Sequence, residues 1–319
     1  MKILIIQNRI GIGDMIIFLP FVEAISKKFG VPVSCLLKKN TKADQILKNN
    51  KFIKEIIFLE RDKQKGKHDG FKGSIDLIFS LRNYKFDKVF IFNSSLRFNL
   101  ISKLSGIKKI YQYPLFKKNK QHIIITAQTF LNKELGINVE SKPTINIDNK
   151  SISNSKEKYN IDHNFKNILL GIGGSGPTKR IPPNIIIKFM ELICGTNAAK
   201  FFLATGKDID EQIILKEIMN SKFKEKCIPL DNLNIVDILP IIKNCDISIC
   251  NDSSFSHLSA ALEIPTIVMM ADTPLVYGDY SPNMHPIIPD GYKTVSHNTL
   301  GKNKINPEKV FKKFIELLN

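Results

Sequence analysis

The chain has 319 residues, with 47 Lys and Arg against 30 Asp and Glu, for a formal charge of +17. At 43% hydrophobic and 24% charged residues it has the length and apolar content of about two globular domains, which excludes wholesale disorder. No run reaches the roughly 18 apolar residues of a membrane span, and the apolar start at 1–6 is interrupted by Gln7, Asn8, Arg9 and Asp14, too soon for a signal peptide.

The elements alternate between strand and helix. An apolar run at 3–6 reads as a buried parallel strand, followed by a glycine turn and an apolar-periodic helix over 14–29. Strands over 31–37 and 55–59 flank a helix over 41–48, and a Lys/Gly/Asp-rich stretch at 61–73 reads as a loop. Further strands are expected at 88–92 and 144–147, with helices near 95–104 and 120–135. The polar stretch 149–164 reads as a linker, after which the alternation restarts. Strands at 167–172, 200–204, 246–250 and 265–270 alternate with helices at 182–194, 208–220, 233–243 and 254–262, and Pro307 opens a terminal helix. This pattern is α/β, with two Rossmann-like domains of parallel sheet, 1–155 and 156–319.

The charge is uneven. Residues 1–160 hold 30 Lys and Arg against 13 Asp and Glu, whereas 161–319 hold 17 of each. Either the first half meets a polyanion or an anionic surface, or Lys has simply accumulated on it, as the abundance of Lys and Asn throughout suggests. Seven Tyr, no Trp and no recognition motif argue against nucleic acid as the partner. Five scattered cysteines, Cys35, Cys194, Cys227, Cys245 and Cys250, show no metal-ligand spacing and read as reduced core thiols of a cytoplasmic protein.

Parallel sheets bind ligands in the loops at the carboxyl ends of their strands, so four loops hold the informative residues. In the first, from Asn8 to Asp14, Gly11 and Gly13 let the backbone approach a ligand. Asp14 at the helix start is either an N-cap or a carboxylate placed to take a proton from a hydroxyl. In the second, 171–176 matches GxGxxG, but Pro177, Pro182 and Pro183 push the helix downstream and no acid ends the next strand, so the dinucleotide fingerprint fails. What remains is a glycine loop with hydroxyls, Ser175 and Thr178, and cations, Lys179 and Arg180, suited to a diphosphate. In the third, Asp208, Asp210 and Glu211 either hold ribose hydroxyls or serve the helix dipole. In the fourth, Asp252, Ser253 and Ser254 precede a small-residue helix start able to offer amides to an anion. His257 follows one turn later, either packing or reaching the same pocket.

Three segments together resemble glycosyltransferase family 9, the heptosyltransferases of lipopolysaccharide core assembly. They are Arg9 to Asp14 with Pro20 beyond, Gly173 to Pro182 with its Lys179-Arg180 pair, and Asn251 to Leu262 followed by Pro265. Asp272-Thr273-Pro274 resembles a loop closing that family's donor site. The resemblance implies a GT-B fold whose two parallel sheets face an interdomain cleft, with the acceptor in the first domain and the nucleotide-sugar in the second. It also implies a last helix, about 306–318, packing back toward the first domain. It implies inverting transfer of a sugar, heptose from ADP-heptose by family default, to a lipopolysaccharide core or related glycan, with no metal and no cofactor beyond the donor substrate. A UDP-sugar 2-epimerase is the alternative on the same fold.

Carried over by residue, Asp14 would be the general base and Gly13 would lie against the nucleotide-sugar. Lys179 would hold the phosphates or ribose, with Gly174, Ser175 and Thr178 lining the diphosphate. Asp210 would hold the nucleoside, or Glu211 if the match slips by one. Asp252 would sit at the sugar, the amides of Ser253 and Ser254 at the leaving diphosphate, and His257 behind them. Ser254 stands where the family has glycine, so the backbone there must be one that any residue can adopt. An anionic glycolipid acceptor and peripheral contact with an acidic inner membrane surface complete the expectation.

Overall fold

Ile3–Ile6, apolar throughout and wholly buried, forms strand β1 at the centre of a parallel sheet, as a continuous hydrophobic run should. The computed structural model describes residues 1–61, 66–115 and 122–318. The chain divides into two compact units, Met1–Pro143 and Thr144–Asn319.

In the first unit β1 leads into α1 (Ile12–Phe29), closed by Gly30 in the left-handed region at φ 65°. Then follow β2 (Val33–Lys38), α2 (Ala43–Ile46), β3 (Ile53–Leu59), α3 (Gly70–Tyr84), β4 (Lys88–Ile91), α4 (Leu96–Leu104), β5 (Lys109–Gln112) and α5 (Ile123–Leu135). All strand pairs are parallel, in the order β3-β2-β1-β4-β5. One face of the sheet is covered by α3 and α4, whose Leu77, Leu81, Phe98 and Ile101 meet Leu4 and Ile6. The other carries α1 and α5, where Phe18, Phe92 and Phe130 pack edge to face.

The second unit holds α6 (Asn149–Lys158), β6 (Lys166–Gly171), α7 (Pro183–Thr196), β7 (Ala199–Ala204), α8 (Ile209–Met219), β8 (Cys227–Pro229) and α9 (Ile235–Lys243). It continues with β9 (Ile247–Asn251), α10 (Ser254–Ala261), β10 (Thr266–Met269), β11 (Met284–Ile287) and α11 (Pro307–Leu318). Its sheet is also parallel, ordered β11-β10-β9-β6-β7-β8. The terminal α11 packs on α7, and its Val310 and Phe314 are part of this unit's core.

Each sheet reverses its winding once. In the first unit the chain runs outward from β1 through β2 and β3, then crosses to β4 on the other side. In the second it runs from β6 through β7 and β8, then crosses to β9. The loops after β1 and β4, and after β6 and β9, therefore diverge at a switch point, where a crevice opens at the strand ends.

Several expectations change. The 149–164 linker contains α6, which packs on α9. There the Asn244 amide donates to the Ile152 carbonyl at 2.9 Å and to Ser155 Oγ at 2.8 Å. The units accordingly divide ahead of residue 155. The strand expected at 144–147 joins no sheet; Ile145 donates one backbone hydrogen bond to Ala261 at 2.8 Å. The loop expected at 61–73 runs into α3, which begins at Gly70 behind the N-cap Asp69. Positions 62–65 of that loop, and the first two residues of the helix expected over 120–135, lie outside the described residues. Three strands without a sequence signal, β5, β8 and β11, are edge strands, paired on one side only, with Pro229 and Pro286 in the latter two; the fourth edge strand, β3, was expected at 55–59. The cysteines are unbridged, and burial pushes the thiols of Cys35 and Cys250 up to about 12, which keeps them inert.

Candidate active site

In the first unit, Asp14 lies past the loop that leaves β1. The helix starts earlier than the sequence suggested: Gly11 is its N-cap and Asp14 its third residue. The carboxylate accepts the Gly11 amide at 3.4 Å, a reciprocal capping arrangement, and pairs with Arg9 at 3.4 Å. Both side chains are partly exposed, so the pair is weak and leaves the carboxylate able to meet a hydroxyl. Across the switch point, the Asn93 amide from the loop after β4 donates to Asn8 Oδ1 at 3.3 Å. The capping and the general-base readings are therefore compatible: one oxygen steadies the loop while the carboxylate remains at the mouth of the sheet.

In the second unit, the loops after β6, β7 and β9 converge. Gly171, the last residue of β6, permits this, because a Cβ there would fall 2.7 Å from Cys250 Sγ on β9. Lys179 Nζ meets Asp252 Oδ2 at 2.7 Å, joining the glycine loop to the start of α10. Asp252 is 5% exposed. Burial alone would raise its carboxyl, but the Lys179 ammonium, His257 and the Lys179 hydrogen bond outweigh this and hold it below the ordinary carboxylate range. Two opposite charges thus stand at the crevice with the ammonium partly exposed.

The backbone at Ser253 is extended, at φ −148°, and Ser254 opens α10 with no positive φ, so the substitution for glycine is accommodated without strain. Ser253 is the N-cap yet makes no side-chain cap, and its buried hydroxyl has no protein partner. His257 is buried, and its Nδ1 lies 2.8 Å from the hydroxyl of Tyr280 with the rings nearly parallel. Burial, with Asp252 nearby, pushes the Tyr280 phenol well up, so it stays a neutral hydrogen-bonding group.

The third loop resolves differently for its two acids. Asp210 is 68% exposed and reaches Arg180 at 3.1 Å, as Asp208 does at 3.0 Å. Glu211 is buried and accepts the Gly174 amide at 2.6 Å. A Cβ on Gly173 would fall 2.9 Å from its carboxylate, and one on Gly206 would collide with it. Arg180, also buried, donates to the Gly174 carbonyl at 3.0 Å. Glu211 and Arg180 thus shape the glycine loop from beneath, while Ser175 is exposed and Thr178 half-buried on its outer side. Tyr280 has no counterpart in the sequence reading, because it comes from an irregular segment between β10 and β11 and only tertiary packing brings it to His257. No cluster of three His, Cys, Asp or Glu side chains able to hold a metal occurs among the described residues.

The profile of Glycosyltransferase family 9 (heptosyltransferase) matches residues 76–314. The chain belongs to glycosyltransferase family 9. This glycosyltransferase is 26% identical to Lipopolysaccharide heptosyltransferase 1 of Campylobacter coli over 95% of its own length and 93% of that protein's. Its fold matches that of E. coli ADP-heptose lps heptosyltransferase II, with a TM-score of 0.75 at 17% identity over 100% of this chain and 98% of that one. It also matches E. coli heptosyltransferase WaaC with ADP-2-deoxy-2-fluoro heptose, with a TM-score of 0.70 at 16% identity over 99% of each chain. The architecture of this family 9 enzyme is GT-B, two parallel α/β units in tandem, as the motifs implied.

Proposed function

We propose that the enzyme transfers a heptose from ADP-heptose to a lipopolysaccharide core or related glycan acceptor, with inversion at the anomeric carbon and without a metal or further cofactor. The observation that carries this reading is the buried Asp252 held by Lys179 beside the α10 terminus at the switch point of the second sheet. Support for the donor comes from two proteins of like fold, E. coli ADP-heptose lps heptosyltransferase II and E. coli heptosyltransferase WaaC with ADP-2-deoxy-2-fluoro heptose.

In this mechanism the second unit holds the donor. Lys179 and the amides of Ser253 and Ser254 face the diphosphate, with Gly174, Ser175 and Thr178 along it. These fixed positive groups stabilise the charge that develops on the leaving ADP. Asp252 meets the sugar, and His257, steadied by Tyr280, supports the loop. The nucleoside falls to the acids of the third loop, where Asp210 is open to solvent and Glu211 is committed to Gly174. The acceptor is assigned to the first unit. As its hydroxyl oxygen bonds to the anomeric carbon, the carbon–oxygen bond to the diphosphate breaks. Asp14 takes the hydroxyl proton, Gly13 lies against the sugar, and ADP departs with the electron pair. A modest base suffices, because the proton becomes acidic only as the new bond forms. An anionic glycolipid as acceptor and work at the inner membrane surface fit the excess of Lys in the first half.

The test is transfer from ADP-heptose to a heptose-free core acceptor, followed by product stereochemistry. Asp14→Asn is expected to lower turnover by about 100–1,000-fold while leaving ADP binding intact. Unimpaired turnover would remove the base assignment. Conversion of a UDP-sugar to its epimer with no acceptor present would replace this reading by the epimerase one.

A further inference from the structure

Helices α3 and α4 lie side by side over one face of the first sheet, tied by Arg82 Nη2 donating to the Leu104 carbonyl at 2.8 Å and by Arg97 Nε donating to Ser74 Oγ at 2.9 Å. Each buries a stripe against the sheet, Gly73, Leu77 and Leu81 on α3 and Phe98, Ile101 and Ser102 on α4. Each also carries a second apolar stripe on its opposite side, where an amphipathic surface helix should be polar. On α3 the stripe is Phe71, Ile75 and Phe79; on α4 it is Leu96, Leu100 and Leu104. Both repeat at every fourth position, so the side chains of each align along the helix. All six are exposed, Phe71 by 84% and Phe79 by 58%. The α3 stripe alone runs about 12 Å along the helix axis.

The charge around these stripes has one sign. Lys72, Arg82, Lys85 and Lys103 are exposed on or beside them, and the Arg82 guanidinium lies 5.8 Å from the ring centroid of Phe79. The acids are few: α3 contains only Asp76 and α4 contains none. The unit as a whole, residues 1–143, holds 27 Lys and Arg against 11 Asp and Glu. A second copy of the same surface would bring like charges together over this patch. A protruding apolar double stripe within a cationic field is instead complementary to a bilayer interface, where rings and aliphatic side chains enter the acyl boundary and cations meet lipid phosphates.

We propose that the outer surface of α3 and α4 docks the enzyme on an anionic lipid bilayer. The proposal deepens the glycolipid-acceptor reading above, on which its biological sense rests, since a docked first unit would meet an acceptor displayed at the membrane. The binding itself needs neither donor nor acceptor, so it stands or fails separately from transfer activity.

The experiment is co-sedimentation of the full chain with vesicles of phosphatidylcholine containing phosphatidylglycerol, against vesicles of phosphatidylcholine alone. Binding is expected only to the acidic vesicles and is expected to weaken as salt rises. The double variant Phe71→Ser/Leu100→Ser should lose about tenfold or more in partitioning, and Arg82→Glu/Lys103→Glu should lose at least as much. Unchanged melting temperature and unchanged transfer to a water-soluble acceptor fragment would show both variants folded. Equal binding of wild type to both vesicle types, or variants that bind acidic vesicles as the wild type does, would overturn the proposal. A wild-type dimer that the apolar variant converts to monomer would also overturn it, by assigning the surface to a second copy.

Discussion

Asp252 shows how a residue's neighbours decide its chemistry. Burial at 5% exposure would neutralise a lone carboxyl, and the Lys179 ammonium at 2.7 Å keeps it ionised. Because its folded value is depressed, the pair stabilises the fold at pH values above the unfolded carboxyl value of about 3.9. That contribution is lost as pH falls through the lower folded value. Asp252→Asn should therefore flatten the acid limb of a stability–pH curve relative to wild type. Lys179→Ala, by leaving a buried charge without its partner, should lower unfolding stability at pH 7 by about 1–3 kcal/mol. Urea unfolding across the acid range checks both; an acid limb in Asp252→Asn identical to the wild type would contradict the assignment. At this scale the sequence was informative about residue type and order, since Asp14, Lys179, Asp252 and His257 all sit at the strand ends where the alternation put them. It could not separate Asp210 from Glu211. Adjacent helix residues point about 100° apart, and only the position of Gly174 decides which of them turns inward.

The elements with their own core face were readable, and the others were not. Continuous apolar runs marked β1, β6 and β9, all central and buried on both faces. The edge strands β5, β8 and β11 lack such runs, whereas β3, also at an edge, carries one at 56–59 and was readable. Helix α6 was hidden for a related reason: it is polar, buries only Ser155 among its residues, and depends on α9 for its place. The terminal α11 lies at the other extreme, with Phe314 fully buried between α7 and the sheet core. Phe314→Ala should cost about 3–5 kcal/mol. Loss of that order in the urea midpoint is the expected result, and a change below about 1 kcal/mol would mean the helix is dispensable to the second unit's core.

At the scale of the whole molecule, the two units share a parallel α/β fold and differ in charge. Residues 144–319 hold 20 Lys and Arg against 19 Asp and Glu, nearly balanced, whereas the cationic excess belongs to the unit assigned to the acceptor. If ADP is held by the second unit, hydrogen exchange should slow at the amides of 172–182 and 252–257 when ADP is added. The amides of 7–11 in the first unit should be unaffected. Protection confined to the first unit would reverse the assignment of donor and acceptor. Among the described residues no helix is long and apolar enough to cross a membrane.

The sequence by itself determined the α/β class, the tandem repetition and the family, because these depend on period, turn chemistry and short ordered motifs that are local in the chain. Tertiary structure alone decided which acid faces the glycine loop, that Tyr280 meets His257, that the polar 149–158 segment is helical, and that six apolar side chains on α3 and α4 remain exposed. Each of these depends on what distant residues leave free or cover, and no local pattern carries that information.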